Sequence, residues 1–302
     1  MTMFRLATAV SAIVLLCGPA AWAADNSAAT EFARGKTLLA DGKFDEALAA
    51  FKAAAKANPD QGEYFQEFSL LQRVLNIREQ LAKEESPQTW EQMARALYGY
   101  YKSRKVYGEA LALAEALHRR SNTGESAAML ASAQLTLNKN EAAAALLGGL
   151  PDSQRSVATD VLHGLALARL GKVDEAKAYA EKLELPKDCG PDVCLNAARL
   201  YARVGRTEQG LAALRYAFEG TPANQLAAYR EEAKGCPDLA PLRTDATFVQ
   251  VLATESKVKG CGGCSNSSSC STSKSTCSDK PATDAAAQSG EKTPGGREGH
   301  NH

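Results

Sequence analysis

Residues 28–59 read AATEFARGKTLLADGKFDEALAAFKAAAKANP. Apolar and small residues recur every three or four positions, break at Asp41-Gly42, and then resume. The first half carries Phe32, Gly35, Leu38 and Leu39. The second carries Phe44, Ala47, Leu48, Phe51 and Ala54 and stops before Pro59. The pattern is helix–turn–helix. Gly35 and Ala47 are small enough to let the two helices approach closely, and Leu38 and Phe51 fill the space between them.

The unit returns along the chain. Residues 158–185 repeat it with His163-Gly164, Leu167, Gly171, Val173, Asp174-Glu175-Ala176, Ala180 and Leu183, followed by Pro186. Residues 192–222 repeat it with Ala198, Tyr201, Gly205, Gly210, Leu214 and Ala217; Gly210 takes the small place between helices and Thr207 replaces the aromatic. The middle is looser. Residues 62–85 are expected to hold a degenerate hairpin before Pro87. Residues 90–119 form a clearer one with Tyr98, Tyr101, Tyr107, Ala110 and Ala114. Residues 125–150 form a small-residue version with Leu130, Ala133, Leu137, Ala143 and Leu147.

Gly35, Gly42, Phe44, Ala47, Phe51, Ala54 and Pro59 fall in the order and spacing of a tetratricopeptide (TPR) repeat, which this unit resembles. The resemblance implies an all-α fold: a right-handed helical solenoid of about six hairpins over residues 24–222. The clearest copies are 28–61, 158–190 and 191–224, and degenerate hairpins fill 62–150. It also implies a protein or peptide partner held on the concave face, which the first helix of each hairpin lines.

Residues 223–257 are expected to form a helical cap. PDLAPLRTDATFVQVL, residues 237–252, is similar to an ending that follows such arrays in exported bacterial proteins, where short helices cover the last repeat. Leu239, Leu242, Phe248, Val249 and Leu252 would supply the cover. From 258 to 302 leucine, isoleucine and phenylalanine vanish, and serine, glycine and threonine dominate. A segment that cannot bury apolar area does not offset its ordering entropy, so a disordered tail is expected.

The chain opens with Arg5, an apolar run from Leu6 to Leu16, and Ala21-Trp22-Ala23, an A-x-A cleavage pattern. Residues 1–23 read as a secretory signal peptide, with export to the periplasm or beyond the cell. Cys17 raises lipid anchoring, but Leu16 before it is not the small residue a lipobox wants. No other stretch is long and apolar enough to cross a membrane.

Charge excludes one class of partner. Lysine plus arginine number 35, as do aspartate plus glutamate, so no net field points to nucleic acid. Catalytic signatures are absent: there is no HExxH, GxSxG, GxxxxGK or GxGxxG. His163 sits at a packing position beside Gly164, and His118 near a helix end, with no constellation around either. A non-catalytic scaffold is expected, with no cofactor.

Placing the hairpins in register puts Lys36, Arg95, Lys102, Arg169, Asn196, Arg199 and Arg203 on the concave lining. Arg199 and Arg203 are one turn apart, and guanidinium forks suit carboxylates. The same residues also fit an ordinary solvated helix face. Cys189, Cys194 and Cys236 are disulfide candidates in an oxidising compartment, as Cys189–Cys194 or Cys194–Cys236. The stretch CGGCSNSSSCSTSKSTC holds Cys261, Cys264, Cys270 and Cys277. Its C-x2-C-x5-C-x6-C spacing suits local disulfides, or alternatively zinc or copper(I) held by a thiol- or metal-handling tail. With Cys17 in the leader, seven of the eight cysteines remain, an odd number.

Overall fold

A computed structural model of the chain describes residues 19–186 and 189–258. Among them every regular element is helical. The hairpins pair α1 (Pro19–Ala40) with α2 (Phe44–Ala57), α4 (Pro87–Ser103) with α5 (Tyr107–Ser121), and α6 (Gly124–Thr136) with α7 (Asn140–Gly148). They continue with α8 (Val157–Arg169) and α9 (Val173–Lys182), then α10 (Pro191–Arg203) and α11 (Thr207–Glu219). Between the first two hairpins lies α3 (Gly62–Lys83). After the last come α12 (Ala223–Gly235), a 3-10 segment (Pro237–Thr244) and α13 (Thr247–Leu252). Successive hairpins stack, with α8 packed between α6 and α10, and the result is an all-α helical solenoid. Most of the expected signal peptide and the cysteines from Cys261 onward lie outside the described residues. The expected cleavage point after Ala23 falls within α1.

One backbone device closes all five hairpins. Gly42, Lys105, Asn138, Gly171 and Gly205 each adopt a positive φ, at 74°, 61°, 57°, 78° and 81°. The amide of the following residue then reaches back five positions to a helix carbonyl. Lys43 bonds Leu38, Val106 bonds Tyr101, Lys139 bonds Gln134, Lys172 bonds Leu167 and Arg206 bonds Tyr201, all between 2.8 and 3.0 Å. This is the left-handed helix stop that satisfies the last carbonyls of the first helix and turns the chain. Glycine holds the position without strain; Lys105 does not. Lys105→Gly should therefore raise stability by about 1 kcal/mol, read as an increase in urea midpoint at unchanged slope.

The stretch 62–85 departs from expectation. It is a single continuous helix, α3, and not a degenerate hairpin. Between Glu63 and Ser86 there is no glycine or proline to stop it, and none of its residues takes a positive φ. Straight-chain helix formers such as Gln72, Arg73, Leu75, Arg78, Glu79 and Gln80 carry it through.

The core falls into two large clusters with two small ones between. The N-terminal cluster gathers Phe32, Leu39, Phe44, Phe51, Leu71, Leu97 and Tyr101. The C-terminal one gathers Leu135, Leu147, Val161, Leu165, Leu200, Leu214 and Phe218 and continues into Leu239, Leu242, Phe248 and Val251. Leu242 lies against Gly210, where a Cβ would come within 3.0 Å of it. The 3-10 segment and α13 thus pack on α10 and α11. Val249 does not share in this cover: it is 71% exposed, and Val251 is buried in its place. In a helix, residues two apart face different ways, and it is Val251 that shares a face with Phe248.

Candidate functional site

The seven polar residues expected on one lining separate into three groups. Lys36 stands apart, its ammonium 4.2 Å from the Phe32 ring centre and 3.4 Å from Glu63. Arg95 also stands apart. It pairs with Glu91 at 2.7 Å and Glu125 at 2.6 Å, in a cleft lined by Pro87, Trp90, Arg120 and Thr123.

Arg169 and Arg203 form the second group, on Asp238 of the 3-10 segment. Arg169 places Nη2 2.6 Å and Nε 3.1 Å from one carboxylate oxygen, and Arg203 places Nε 2.7 Å from the other. Arg169 also donates to the Leu135 carbonyl at 2.6 Å. Asp238 is only 2% exposed. Burial opposes its ionisation, but the two guanidinium groups outweigh that and hold its carboxyl below the ordinary range. These two arginines therefore bind the C-terminal segment to the last turns of α8 and α10. Arg199 and Arg203, expected to project together, serve different carboxylates.

Lys102, Asn196 and Arg199 make the third group, and here distant hairpins meet. Lys102, in the last turn of α4, places its ammonium 2.5 Å from Asp192 Oδ2 in the first turn of α10. Each charge sits at the helix end whose dipole favours it. Asp192 Oδ1 accepts the Tyr229 hydroxyl of α12 at 2.5 Å. Two turns along α10, Arg199 donates Nη1 to Asn196 Oδ1 at 2.9 Å and Nη2 to Glu232 of α12 at 2.5 Å. Tyr229 and Glu232 are three apart on α12, so one face of that helix engages both. Tyr98 and Tyr107 complete the surroundings; both phenols are held above their usual pKa, first by burial. Burial likewise works against the Asp192 carboxylate, yet Lys102 and the Tyr229 hydroxyl hold its pKa below the ordinary range.

Arg199 is the least satisfied member. Its Nε is buried and has no hydrogen-bond partner. Its contact with Glu232 uses a single nitrogen and a single oxygen, so the side-on fork that guanidinium offers a carboxylate stays half used.

The sequence alone did not point to Asp192, Tyr229, Glu232 or Asp238. Each is a counter-charge or hydroxyl far along the chain from the cation it serves. The visible signal was the pairing of Tyr229 and Glu232 at helical spacing on one face.

The cysteines before and within α10 are close neighbours. The Cys194 thiol donates to the Cys189 carbonyl at 3.5 Å, and burial together with Cys189 pushes its pKa well up. Such a thiol is a poor nucleophile at neutral pH. Cys236 is buried at the end of α12. His163 is packed 4.8 Å from the Tyr179 ring, with its pKa lowered by burial and by Arg155, and Nδ1 has no partner. No group of three or more metal-ligating side chains forms among the described residues, and no helix among them is long and apolar enough to cross a membrane.

A family model, tetratricopeptide repeat, matches residues 32–61, which span most of the α1–α2 hairpin and its exit. No curated protein sequence matches the chain. Three crystal structures are similar to it. A thermophilic TPR protein of Thermus thermophilus, TTC0263, is 21% identical, with a TM-score of 0.34 over 75% of this chain and 99% of that one. A tetratricopeptide repeat protein of Parabacteroides merdae is 15% identical, with a TM-score of 0.39 over 76% and 98%. YrrB, a TPR protein with an unusual peptide-binding site, is 18% identical, with a TM-score of 0.30 over 71% and 98%. Residues 32–61 thus match a tetratricopeptide repeat, and the turn that closes their hairpin also closes the four described hairpins that follow.

Proposed function

We propose that the chain is an exported, non-catalytic scaffold that holds a protein or peptide segment at the seam where α4, α10 and α12 meet. The family provides the coarse function, since TPR arrays bind protein or peptide partners. One observation carries the site: Lys102 and Arg199, from separate hairpins, converge with Asn196, Tyr98, Tyr107 and Tyr229. Cations backed by phenols and an amide suit a segment bearing carboxylates, which gains charge-assisted hydrogen bonds and aromatic contact together. Export follows from the leader at residues 1–23. In that compartment the neighbouring Cys189 and Cys194 form the local bridge that fixes the entry to α10.

The test is a displayed random-peptide library selected against the full chain. Selected peptides should carry acidic residues, and Arg199→Gln should weaken their binding by about tenfold or more, as expected for a lost charge-assisted hydrogen bond. Lys36→Ala, at a distant cation, should leave it unchanged. Peptides indifferent to Arg199→Gln and Lys102→Ala would place binding elsewhere.

A further inference from the structure

The seam already has an occupant. α12 runs in the same direction as α10, with Tyr229 on Asp192 and Glu232 on Arg199. Its hold is slight for a helix of 13 residues. Only Leu226 and Ala233 are buried, Glu232 is about half exposed, and the N-terminus has no side-chain cap. Pro222 and Pro237 bracket it, so α12 is a helix set off from its neighbours by breaks on both sides. The neighbouring segment is held much better: Asp238 is clamped by two arginines, and Leu239 and Leu242 are fully buried. Further tethers of α12 are polar: Arg230 donates to the Thr254 carbonyl at 2.8 Å and lies 3.9 Å from Glu255, and Arg243 donates to the Cys236 carbonyl at its C-terminal end.

We propose that α12 is a built-in ligand of this seat, and that a partner's acidic helix, presenting a carboxylate one turn from a hydroxyl or second carboxylate, displaces it. This rests on the reading of the seam as the peptide site. Displacement is favoured by what α12 leaves undone. A carboxylate bridging Arg199 Nε and Nη2 satisfies the buried Nε, which Glu232 does not reach. The partner must also overcome an intramolecular competitor present at high effective concentration, so the intact chain binds weakly until the α12 contacts are loosened.

The experiment uses the full chain and a fluorescein-labelled synthetic peptide of the α12 sequence, ANQLAAYREEAKG, followed by fluorescence anisotropy. The variants are Tyr229→Phe with Glu232→Gln, and the same pair combined with Arg199→Gln. Both changes on α12 are near-isosteric, and circular dichroism checks that each variant keeps its helix content. The paired variant should bind the probe about tenfold tighter than the wild type, and adding Arg199→Gln should remove that gain. A probe carrying Y229F and E232Q should bind neither chain. Equal binding by the wild type and the paired variant overturns the proposal, as does a gain that survives Arg199→Gln. A wild-type chain that sediments as a dimer, and returns to monomer with Glu232→Gln, also overturns it, because the occupant is then a second copy. If library-selected peptides depend on Arg199 while the α12 probe binds no variant, the built-in ligand falls and the peptide site stands. If neither binds, both fall.

Discussion

Asp238→Asn should cost the fold about 3 kcal/mol at neutral pH, the low end of the range for removing one partner from a buried ion pair. The carboxylate is almost wholly buried and accepts from Arg169 and Arg203 on both oxygens. Asparagine keeps the shape but removes the charge. It turns an NH2 group toward one guanidinium, leaving donors facing donors. Arg203 is 39% exposed and can turn to water, which keeps the loss from the top of the range; Arg169, at 14%, cannot. The contribution also depends on pH in a defined direction. The folded pKa of Asp238 is depressed, so its stabilisation is fully present above the unfolded value of about 3.9 and disappears as pH falls through the folded value. Urea unfolding followed by circular dichroism should show the variant well below the wild type at pH 7 and the gap closing below pH of about 4. A gap under about 1 kcal/mol at pH 7, or one that ignores pH, would show that the clamp adds little.

Phe51→Ala should cost about 3–5 kcal/mol, in the range for removing a buried phenylalanine. The ring is fully buried, 5.6 Å from the Phe32 ring, and lies directly over Gly35. A Cβ on Gly35 would approach Phe51 ring atoms to 2.6 Å. Removing the ring therefore opens a void beside a residue with no side chain to fill it, and α1 and α2 are already as close as their backbones require. The pair yields a sign reversal. Gly35→Ala alone should destabilise by about 1–3 kcal/mol through overpacking. In the Phe51→Ala background it should stabilise, because it part-fills the void and replaces a mid-helix glycine. Additive effects in a double-mutant cycle would contradict the packing described for this hairpin.

These two sites differ in how far the sequence foretold them. Gly35 and Phe51 were legible because they belong to one hairpin, where helical spacing fixes which residues face each other. The turns were legible at Gly42, Gly171 and Gly205 and hidden at Lys105 and Asn138, where the same backbone is imposed on residues that do not advertise it. The single helix over 62–85 was not legible, because apolar spacing alone does not show where a helix stops. With no glycine or proline inside it, α3 simply continues. The cations were legible as positions on a lining, but their partners were not. Lys102 meets Asp192, and Arg169 meets Asp238 69 residues away. Those meetings depend on how the hairpins stack and curve, which no local pattern encodes. The result changes the meaning of the basic residues: Arg169 and Arg203 are anchors for the chain's own C-terminal segment, while Lys102 and Arg199 stand at a seam that α12 occupies loosely.

The most direct measurement is amide hydrogen exchange on the full chain, with and without a saturating library-selected peptide. If the seam is the peptide seat, the α12 amides should exchange about tenfold faster or more in the complex, as that helix leaves, while α10 amides slow and the α1–α2 hairpin stays unchanged. Unaltered exchange in α10 and α12 with protection elsewhere would contradict the assignment of binding to this seam.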